Sequence, residues 1–112
     1  MADDRLPTKF WVDAHVRQLT LTGVPYYIHN TGNFASGTVL LKINGLENGC
    51  KVLQQQRNLD GIMGWMTLFK GATVTDREAD DYIKRAVDRD PDLWVIEIED
   101  RAMANPFEGK VF

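Results

Sequence analysis

The sequence predicts an α+β domain: a mostly antiparallel sheet of about five strands with two helices, in the order helix, four strands, helix, strand. Three observations predict it: an amphipathic run near the start, β-prone segments separated by Gly and Asn turns, and a capped second helix followed by a β-prone run. The 112 residues, 44% of them hydrophobic, suit one domain with a modest core.

The first helix is expected from Thr8, as N-cap, to about Thr22, with Gly23 ending it. One broad face of this helix collects apolar and aromatic side chains, which predicts that it packs on a sheet. These side chains belong to Trp11, Val12, His15, Val16 and Leu19.

Four β-prone segments follow, at residues 24–29, 38–44, 50–57 and 62–69, of which the last could instead begin a helix. The connections between them are rich in Gly and Asn and mostly short, which predicts an antiparallel meander. The connection from Gly32 to Gly37 has the glycine spacing of a phosphate-binding loop but lacks its Lys-Ser/Thr. We therefore interpret it as a hairpin loop.

The second helix carries the clearest local signal. Thr75 and Glu78 fit a capping box, and Pro91 ends the helix. Pairs four residues apart, Asp80 with Lys84 and Asp81 with Arg85, are expected on its exposed side. Its core face is expected to contain Ala79, Tyr82, Ile83, Ala86 and Val87.

The run from Leu93 onward predicts the last strand, which the second helix could carry back parallel to a neighbour. Trp94, Ile96 and Ile98 point to one side, and we expect a helix to cover them. Glu97 and Glu99 point to the other side, which we expect to lie outside the core.

Composition excludes several functional classes. A net charge of −3 and a pI near 5.3 predict no nucleic-acid or membrane partner. Cys50 is the single cysteine, so no disulfide can form within the chain. No apolar run approaches the length of about 20 residues that spans a bilayer, and no secretory leader is recognisable. We expect a cytoplasmic protein without a cofactor, whose partners are another protein or a second copy in a homodimer.

The pair Glu97 and Glu99 is the main candidate for chemistry. Two strand residues at this spacing lie about 6.6–6.8 Å apart on one face. With Asp92 they could bind Mg²⁺ or Ca²⁺, or they could share acid and base roles. The favoured interpretation is a solvated strand face that pairs with Arg or Lys of a neighbouring strand.

His15 is the second candidate, because it is a titratable residue on an apolar helix face. It could act as a base or metal ligand, and either His15 or Arg17 could assist the glutamate pair. The favoured interpretation is a neutral histidine that is hydrogen-bonded to a backbone carbonyl or a side chain. His29 is expected at the surface, and Cys50 in the core or at an edge. No catalytic or metal residue is therefore assigned.

Several segments together resemble a family of small alphaproteobacterial proteins, the domain of unknown function 1491. The segments are Trp11 to Arg17, Gly37 to Lys42, Trp65, Glu78 to Ile83, and Asp90 to Arg101. The resemblance covers nearly the whole chain, and the last segment is its most specific part. It implies a single bacterial domain and adds no catalytic residues.

One domain is therefore expected over residues 1–112, with residues 1–7 and 102–112 as terminal extensions. The tail could be a docking segment, but a tail that folds back over a sheet edge is favoured. The lack of a convergent catalytic set favours a non-catalytic interaction or regulatory module over an enzyme. The alternative is a small metal-dependent or acid/base enzyme that uses Glu97 and Glu99.

Overall fold

The computed structural model describes residues 6–112, so most of the predicted lead-in at residues 1–7 lies outside the described residues. This part of the chain contains two helices and six strands. They are α1 (Thr8–Thr22), β1 (Tyr26–Asn30), β2 (Val39–Asn44), β3 (Cys50–Arg57), β4 (Met63–Thr67), α2 (Asp76–Arg89), β5 (Trp94–Glu99) and β6 (Lys110–Val111). No helix within residues 6–112 is long and apolar enough to cross a membrane.

The sheet is mixed, with the strand order β1-β5-β2-β3-β4-β6, so the prediction of about five mostly antiparallel strands is wrong in strand number and direction. Strands β2, β3 and β4 form an antiparallel meander, but β1, the first strand of the predicted four-strand meander, does not pair with β2. β5 lies between β1 and β2, antiparallel to β1 and parallel to β2. The crossover through α2 explains the parallel pairing, because a parallel neighbour needs such a connection.

The connection between β1 and β2 crosses the start of β5, so it is not the predicted hairpin loop. A Cβ on Gly32 or Gly37 would lie 2.1 or 2.2 Å from the carbonyl oxygen of Asp92. The indole of Trp94 donates a hydrogen bond of 2.9 Å to the carbonyl of Asn33. Glycine is required at both positions because backbone packs against backbone there.

The same connection also supplies acceptors at the start of α1. The backbone N–H groups of Thr8 and Lys9 donate to the carbonyls of Ala35 and Phe34, at 3.2 and 3.0 Å. Pro7 occupies the N-cap position and offers no side-chain cap, so Thr8 is the first helical residue and not the predicted cap. Backbone carbonyls of the connection thus satisfy helix N–H groups that a capping side chain would otherwise serve.

Each face of the sheet is covered by one helix. The face under α1, here called the α1 face, is entirely apolar in its core, and the prediction that Trp94, Ile96 and Ile98 lie beneath a helix is confirmed. The other face, here called the α2 face, packs against α2. The buried apolar side chains of the α2 face are Leu40, Cys50, Val52, Ala79, Ile83, Ala86, Leu93 and Val95.

α2 begins with the predicted capping box. The hydroxyl of Thr75 accepts a hydrogen bond from the N–H of Glu78 at 3.1 Å, and the carboxylate of Glu78 accepts one from the N–H of Thr75 at 2.9 Å. The hydrogen bond with Thr75 lowers the pKa of Glu78. These two contacts fix the first turn of α2 above the sheet.

The C-terminal tail folds back over the β4 edge, as favoured from the sequence. Phe107 is buried, and β6 pairs in parallel with Gly64 and Trp65. The indole of Trp65 donates to the carbonyl of Glu108 at 3.0 Å. The tail thus covers one edge of the sheet and leaves β1 at the other.

Candidate functional site: a buried lysine–glutamate cluster beside an edge strand

Lys42 is the centre of a polar cluster on the α2 face. It interrupts the apolar strand β2, and its side chain is only 1% exposed. Its Nζ lies 2.5 Å from Oδ1 of Asp76 and 2.7 Å from Oδ1 of Asp80, both on α2, and 3.6 Å from Oε1 of Glu97. The lysine therefore ties the first turns of α2 to the sheet.

Glu97 lies opposite Lys42 in the β2–β5 register and is 8% exposed. Its Oε1 lies 2.6 Å from Nε2 of His29, and its Oε2 accepts a hydrogen bond of 2.9 Å from the amide of Asn44. The prediction that Glu97 lies outside the core is wrong, because α2 covers this part of the face. The expected pairing with a basic residue of a neighbouring strand is present.

His29 reaches Glu97 because of a break in the β1–β5 register. Ile28 pairs with Ile96 and Asn30 pairs with Val95, so His29 is the additional residue of a β-bulge. The imidazole is 47% exposed, in agreement with the expected surface position, and donates to Glu97 when its hydrogen is on Nε2. One edge of the ring thus faces the cluster while the rest of the ring faces solvent.

The charges of the cluster stabilise one another. Burial alone would lower the pKa of Lys42, but hydrogen bonds to Asp76 and Asp80 and the nearby charge of Glu97 outweigh it and raise that pKa above its ordinary value. The hydrogen bond from Lys42 in turn lowers the pKa of Asp76. Lys42 therefore stays protonated at neutral pH, which excludes it as a general base or amine nucleophile.

Cys50 lies at the side of this cluster, and its Sγ is 3.8 Å from Oδ1 of Asp76. Burial raises the pKa of the thiol, although Lys42 opposes the effect. A thiol with a raised pKa and no exposure is a poor nucleophile. Cys50 is therefore a small core residue, one of the two positions expected from the sequence.

The other acidic candidates lie outside the cluster. Glu99 shares the α2 face with Glu97 through the register, since it pairs with Asn44, but it is partly exposed at the end of β5. Asp92 lies in the turn that precedes β5, at the opposite end of the strand. Among residues 6–112, no group of three or more His, Cys, Asp or Glu side chains could hold a metal ion.

His15 and Arg17 lie on α1, so the sheet separates them from Glu97. Nδ1 of His15 donates to the backbone carbonyl of Trp11 at 2.8 Å, which is the interpretation favoured from the sequence. The imidazole stacks on Trp11 and Phe107, with ring centroids 3.9 and 5.4 Å apart. Arg17 is exposed. The structure does not bring either residue to the acidic pair.

Sequence reasoning missed Lys42, although a signal was present. A single lysine within Val39–Ile43, an otherwise apolar strand, needs a buried partner. The expected pair of Asp80 with Lys84 does not form: Asp80 contacts Lys42, and Lys84 lies 3.7 Å from Asp88. Lys42 attracts Asp80 because a buried ammonium group gains more from a carboxylate than an exposed one does.

A groove of about 290 Å³ opens beside the cluster, between β1 and α2. We call it the β1–α2 groove. Its apolar floor is formed by Ile83, Val87 and Val95. Its polar lining residues are His29, Asn30, Asp80, Lys84 and Asp88.

The outer side of β1 has no strand partner within residues 6–112. The N–H of Glu99 donates to the carbonyl of Pro25, and hydrogen bonding alternates along an antiparallel pair. The backbone groups of Tyr26 and Ile28 therefore point away from β5. Two residues with outward donors and acceptors therefore lie on the same strand as His29 and Asn30, which line the β1–α2 groove.

Comparison with known proteins gives the family. The family model described as "Protein of unknown function (DUF1491)" matches residues 6–108. This chain belongs to the DUF1491 family. The resemblance noted in the sequence is thereby confirmed. A search of the curated proteins finds no match.

Several solved structures are similar to this chain in fold. A crystal structure of a DUF1491 family protein from Caulobacter crescentus CB15 has a TM-score of 0.84 and 30% identity, and covers 96% of this chain and 99% of that chain. An NMR structure of a DUF1491 family protein from the same organism has a TM-score of 0.80 and 31% identity, with 96% of each chain covered. The solution structure of protein Atu0922 from A. tumefaciens, at 21% identity and a TM-score of 0.70 over 86% of each chain, is similar in fold.

Proposed function

We propose that this DUF1491 protein is a non-catalytic interaction module of the bacterial cytoplasm, which binds another protein along β1. The observation that carries the proposal is the outer side of β1, which has no strand partner in the described part of the chain and lies beside the β1–α2 groove. An edge strand with outward backbone groups can accept an extended segment as an additional strand. Backbone hydrogen bonds then give affinity, and the groove beside them gives specificity.

Bacterial origin and compartment are part of the proposal. The similar solved structures come from Caulobacter crescentus and A. tumefaciens, which supports a bacterial protein. The single cysteine is buried and free, which suits a reducing compartment. The bacterial cytoplasm is a reducing compartment, so it is the location that we propose.

The polar cluster supports a structural role more than a catalytic one. Both carboxylate oxygens of Glu97 are occupied, by His29 and Asn44. Lys42 is protonated and buried between carboxylates. A catalytic group needs a free position toward a substrate, and neither Lys42 nor Glu97 has one in this arrangement.

The enzyme alternative based on Glu97 and Glu99 has less support, because His15 and Arg17 lie on the opposite side of the sheet. Calorimetric titration of the wild type with Mg²⁺, Mn²⁺ and Ca²⁺, beside a Glu97→Ala, Glu99→Ala double variant, tests it. We expect no heat of binding. Saturable heat that the double variant loses would favour the metal-dependent enzyme over the interaction module.

The test of the proposal uses one position of β1 with two substitutions. Ile28→Pro removes a backbone N–H that points away from β5, so the β1–β5 pairing is retained. Ile28→Ala is the matched control, because it removes side-chain atoms and keeps the N–H. Bait proteins carrying each change are used for capture from lysate of the source cell, and captured proteins are compared by mass spectrometry.

We expect a specific protein that the wild type and Ile28→Ala capture and that Ile28→Pro loses. Near-ultraviolet circular dichroism verifies that both variants are folded. As a measurement that needs no variant, the captured protein should slow amide hydrogen exchange at Tyr26 and Ile28 in the wild type. Equal capture by Ile28→Pro, together with unchanged exchange at both amides, would contradict binding along β1.

A further inference from the structure

We infer that the segment accepted by β1 is an extended, basic segment of another protein in which cationic and apolar side chains alternate. The inference rests on the proposed function and adds the chemistry of the partner. Three features carry it: the apolar floor of the β1–α2 groove, the acidic excess along its rim, and the spacing of side chains on an added strand.

The floor of the groove accepts an apolar side chain. Val95 of β5 is buried, and Ile83 and Val87 of α2 complete the apolar floor. These are branched aliphatic side chains, and the groove volume of about 290 Å³ holds a side chain of the size of Ile or Leu with room to spare. Burial of such a side chain removes apolar surface of both partners from water.

The rim carries more negative than positive charge. Three carboxylates, those of Asp76, Asp80 and Glu97, surround the single ammonium group of Lys42. The other pair at the rim, Lys84 with Asp88, is neutral in sum. Of the three carboxylates around Lys42, Asp80 is the one that lines the groove. Asp80 and Asp88 therefore outnumber Lys84 among the charged lining residues, which favours a cationic partner.

A second source of negative charge lies at the Asn30 end of the groove. The amide of Asn30 donates to the carbonyls of Pro91 and Leu93, at 3.2 and 2.7 Å. These contacts hold the turn with the exposed carboxylates of Asp90 and Asp92 against the end of β1. The turn therefore adds exposed carboxylates near the end of the groove where Asn30 lies.

An added strand has side chains on one face at every second residue, about 6.6–6.8 Å apart. An apolar side chain that enters the groove is therefore flanked by the side chains two residues before and after it. Lys or Arg at those two positions has a long flexible stem that reaches the rim carboxylates while its head stays hydrated. The expected pattern is basic, any residue, apolar, any residue, basic.

The same charge argues against a second copy as the occupant. Pairing of β1 with β1 across a two-fold axis brings the same surface of each copy to the contact. The acidic rims would then face each other in a chain that already carries a net charge of −3. Like charges at a contact oppose association.

The probe is the heptapeptide acetyl-Thr-Lys-Thr-Ile-Thr-Lys-Thr-amide, titrated into ¹⁵N-labelled full-length protein. One control peptide has Glu in place of both Lys, and a second has the same composition in the order Lys-Lys-Thr-Thr-Ile-Thr-Thr. We expect saturable shifts of the Tyr26 and Ile28 amide resonances with the first peptide only. The affinity should decrease as ionic strength rises, since the rim is exposed to solvent.

Two matched variants test the rim. Asp88→Lys reverses a charge that lines the groove, and Asp81→Lys makes the same change on α2 at an exposed residue that does not line it. We expect the Asp88→Lys variant to bind the probe peptide about fivefold or more weakly than the Asp81→Lys variant does. The reason is that an attraction between Asp88 and a lysine of the peptide is replaced by repulsion between two lysines. Equal affinities of the two variants would overturn the role of the rim.

The inference is overturned if the acidic or the reordered peptide binds as well as the probe, if the shifts map elsewhere, or if no peptide shifts the β1 amides. Sedimentation that shows a dimer lost in Ile28→Pro would make a second copy the occupant instead. These failures are distinguishable from failure of the proposed function. A captured protein that protects Tyr26 and Ile28 without a basic segment would leave binding along β1 in place and remove only the chemistry inferred for the partner.

Discussion

The two faces of the sheet differ in what they bury, and the neighbours Ile96 and Glu97 on β5 show the difference directly. Ile96 enters the α1 face, where every buried side chain of the core is apolar. Glu97 enters the α2 face, where it meets Lys42, His29 and Asn44. The buried contacts of one helix with the sheet are thus apolar, and the other helix adds a polar cluster to its apolar contacts.

This difference has a physical consequence. A buried ion pair loses hydration on folding, so it adds little net stability compared with apolar side chains of the same size. It does restrict orientation, because each charged group needs its partner at hydrogen-bond distance. The α1 face is therefore expected to dominate the stability of the fold, while the α2 face fixes where α2, one wall of the β1–α2 groove, lies over the sheet.

The largest loss of stability is expected from a substitution on the α1 face. Ile96→Ala removes a fully buried side chain and leaves a cavity between α1 and the sheet. We expect a loss of about 4 kcal/mol in the free energy of unfolding, within the range for Ile-to-Ala changes in cores. Urea denaturation followed by tryptophan fluorescence measures it. A loss below about 1 kcal/mol would contradict tight packing of this face.

A smaller effect is expected from Lys42→Met. The change keeps the length of the side chain but leaves the buried Glu97 without its lysine. We expect a loss of about 3 kcal/mol, the low end for breaking a buried ion pair, because Asp76 and Asp80 can rehydrate. Lys84→Met, which removes an exposed lysine from α2, should change stability by less than about 0.5 kcal/mol.

If Lys42→Met and Lys84→Met changed the free energy of unfolding by the same amount, the cluster would contribute no more to stability than an ordinary surface ion pair. That outcome would remove the distinction between the two faces. The m-value of each denaturation curve is checked in parallel, since a changed m-value indicates an altered unfolded or native state and not a lost contact.

Acid should reduce the contribution of the cluster. The hydrogen bond from Lys42 lowers the pKa of Asp76 below its usual value of 3.8. A lowered carboxylate pKa gives stability that is present above the unfolded-state pKa and is lost as pH falls through the folded-state pKa. We expect the stability difference between wild type and Lys42→Met to shrink below pH 3.8, and a constant difference from pH 6 to pH 2 would contradict the contact.

The smallest expected effect concerns the reactivity of the Cys50 thiol. Burial raises the pKa of its thiol, so the folded protein should react with a thiol reagent only through opening of the structure. Ellman's reagent at pH 8 should label the native protein far more slowly than the urea-unfolded protein. Comparable rates in both states would mean that the thiol is accessible beside the cluster.

Much of the local structure follows from the sequence. The range of α1, the capping box at Thr75 and the range of β3 agree with signals that lie within each segment of the sequence, namely its periodicity, cap residues and β-prone residue types. β4 is shorter than expected, because Phe69 and Lys70 have positive φ values of 54° and 56° in a short 3₁₀ turn that replaces its predicted end. Neither residue type signals a left-handed backbone.

The strand order could not be predicted in the same way. Insertion of β5 between β1 and β2 depends on contacts between residues far apart in the chain, and β6 has only two residues, too few to show a period. The site was predicted in part. Glu97 was recognised as a candidate, but its burial depends on α2, and the contact from His29 depends on a bulge that no sequence period marks.

A double-mutant cycle on Lys42→Met and Glu97→Gln tests the central claim most directly, namely that the polar residues of the α2 face act as one structural unit. The free energies of unfolding of wild type, both single variants and the double variant are measured by urea denaturation. We expect a coupling energy of about 1–2 kcal/mol, as for contacting residues of one network. Additive effects within about 0.3–0.5 kcal/mol would show two independent residues and would contradict the claim.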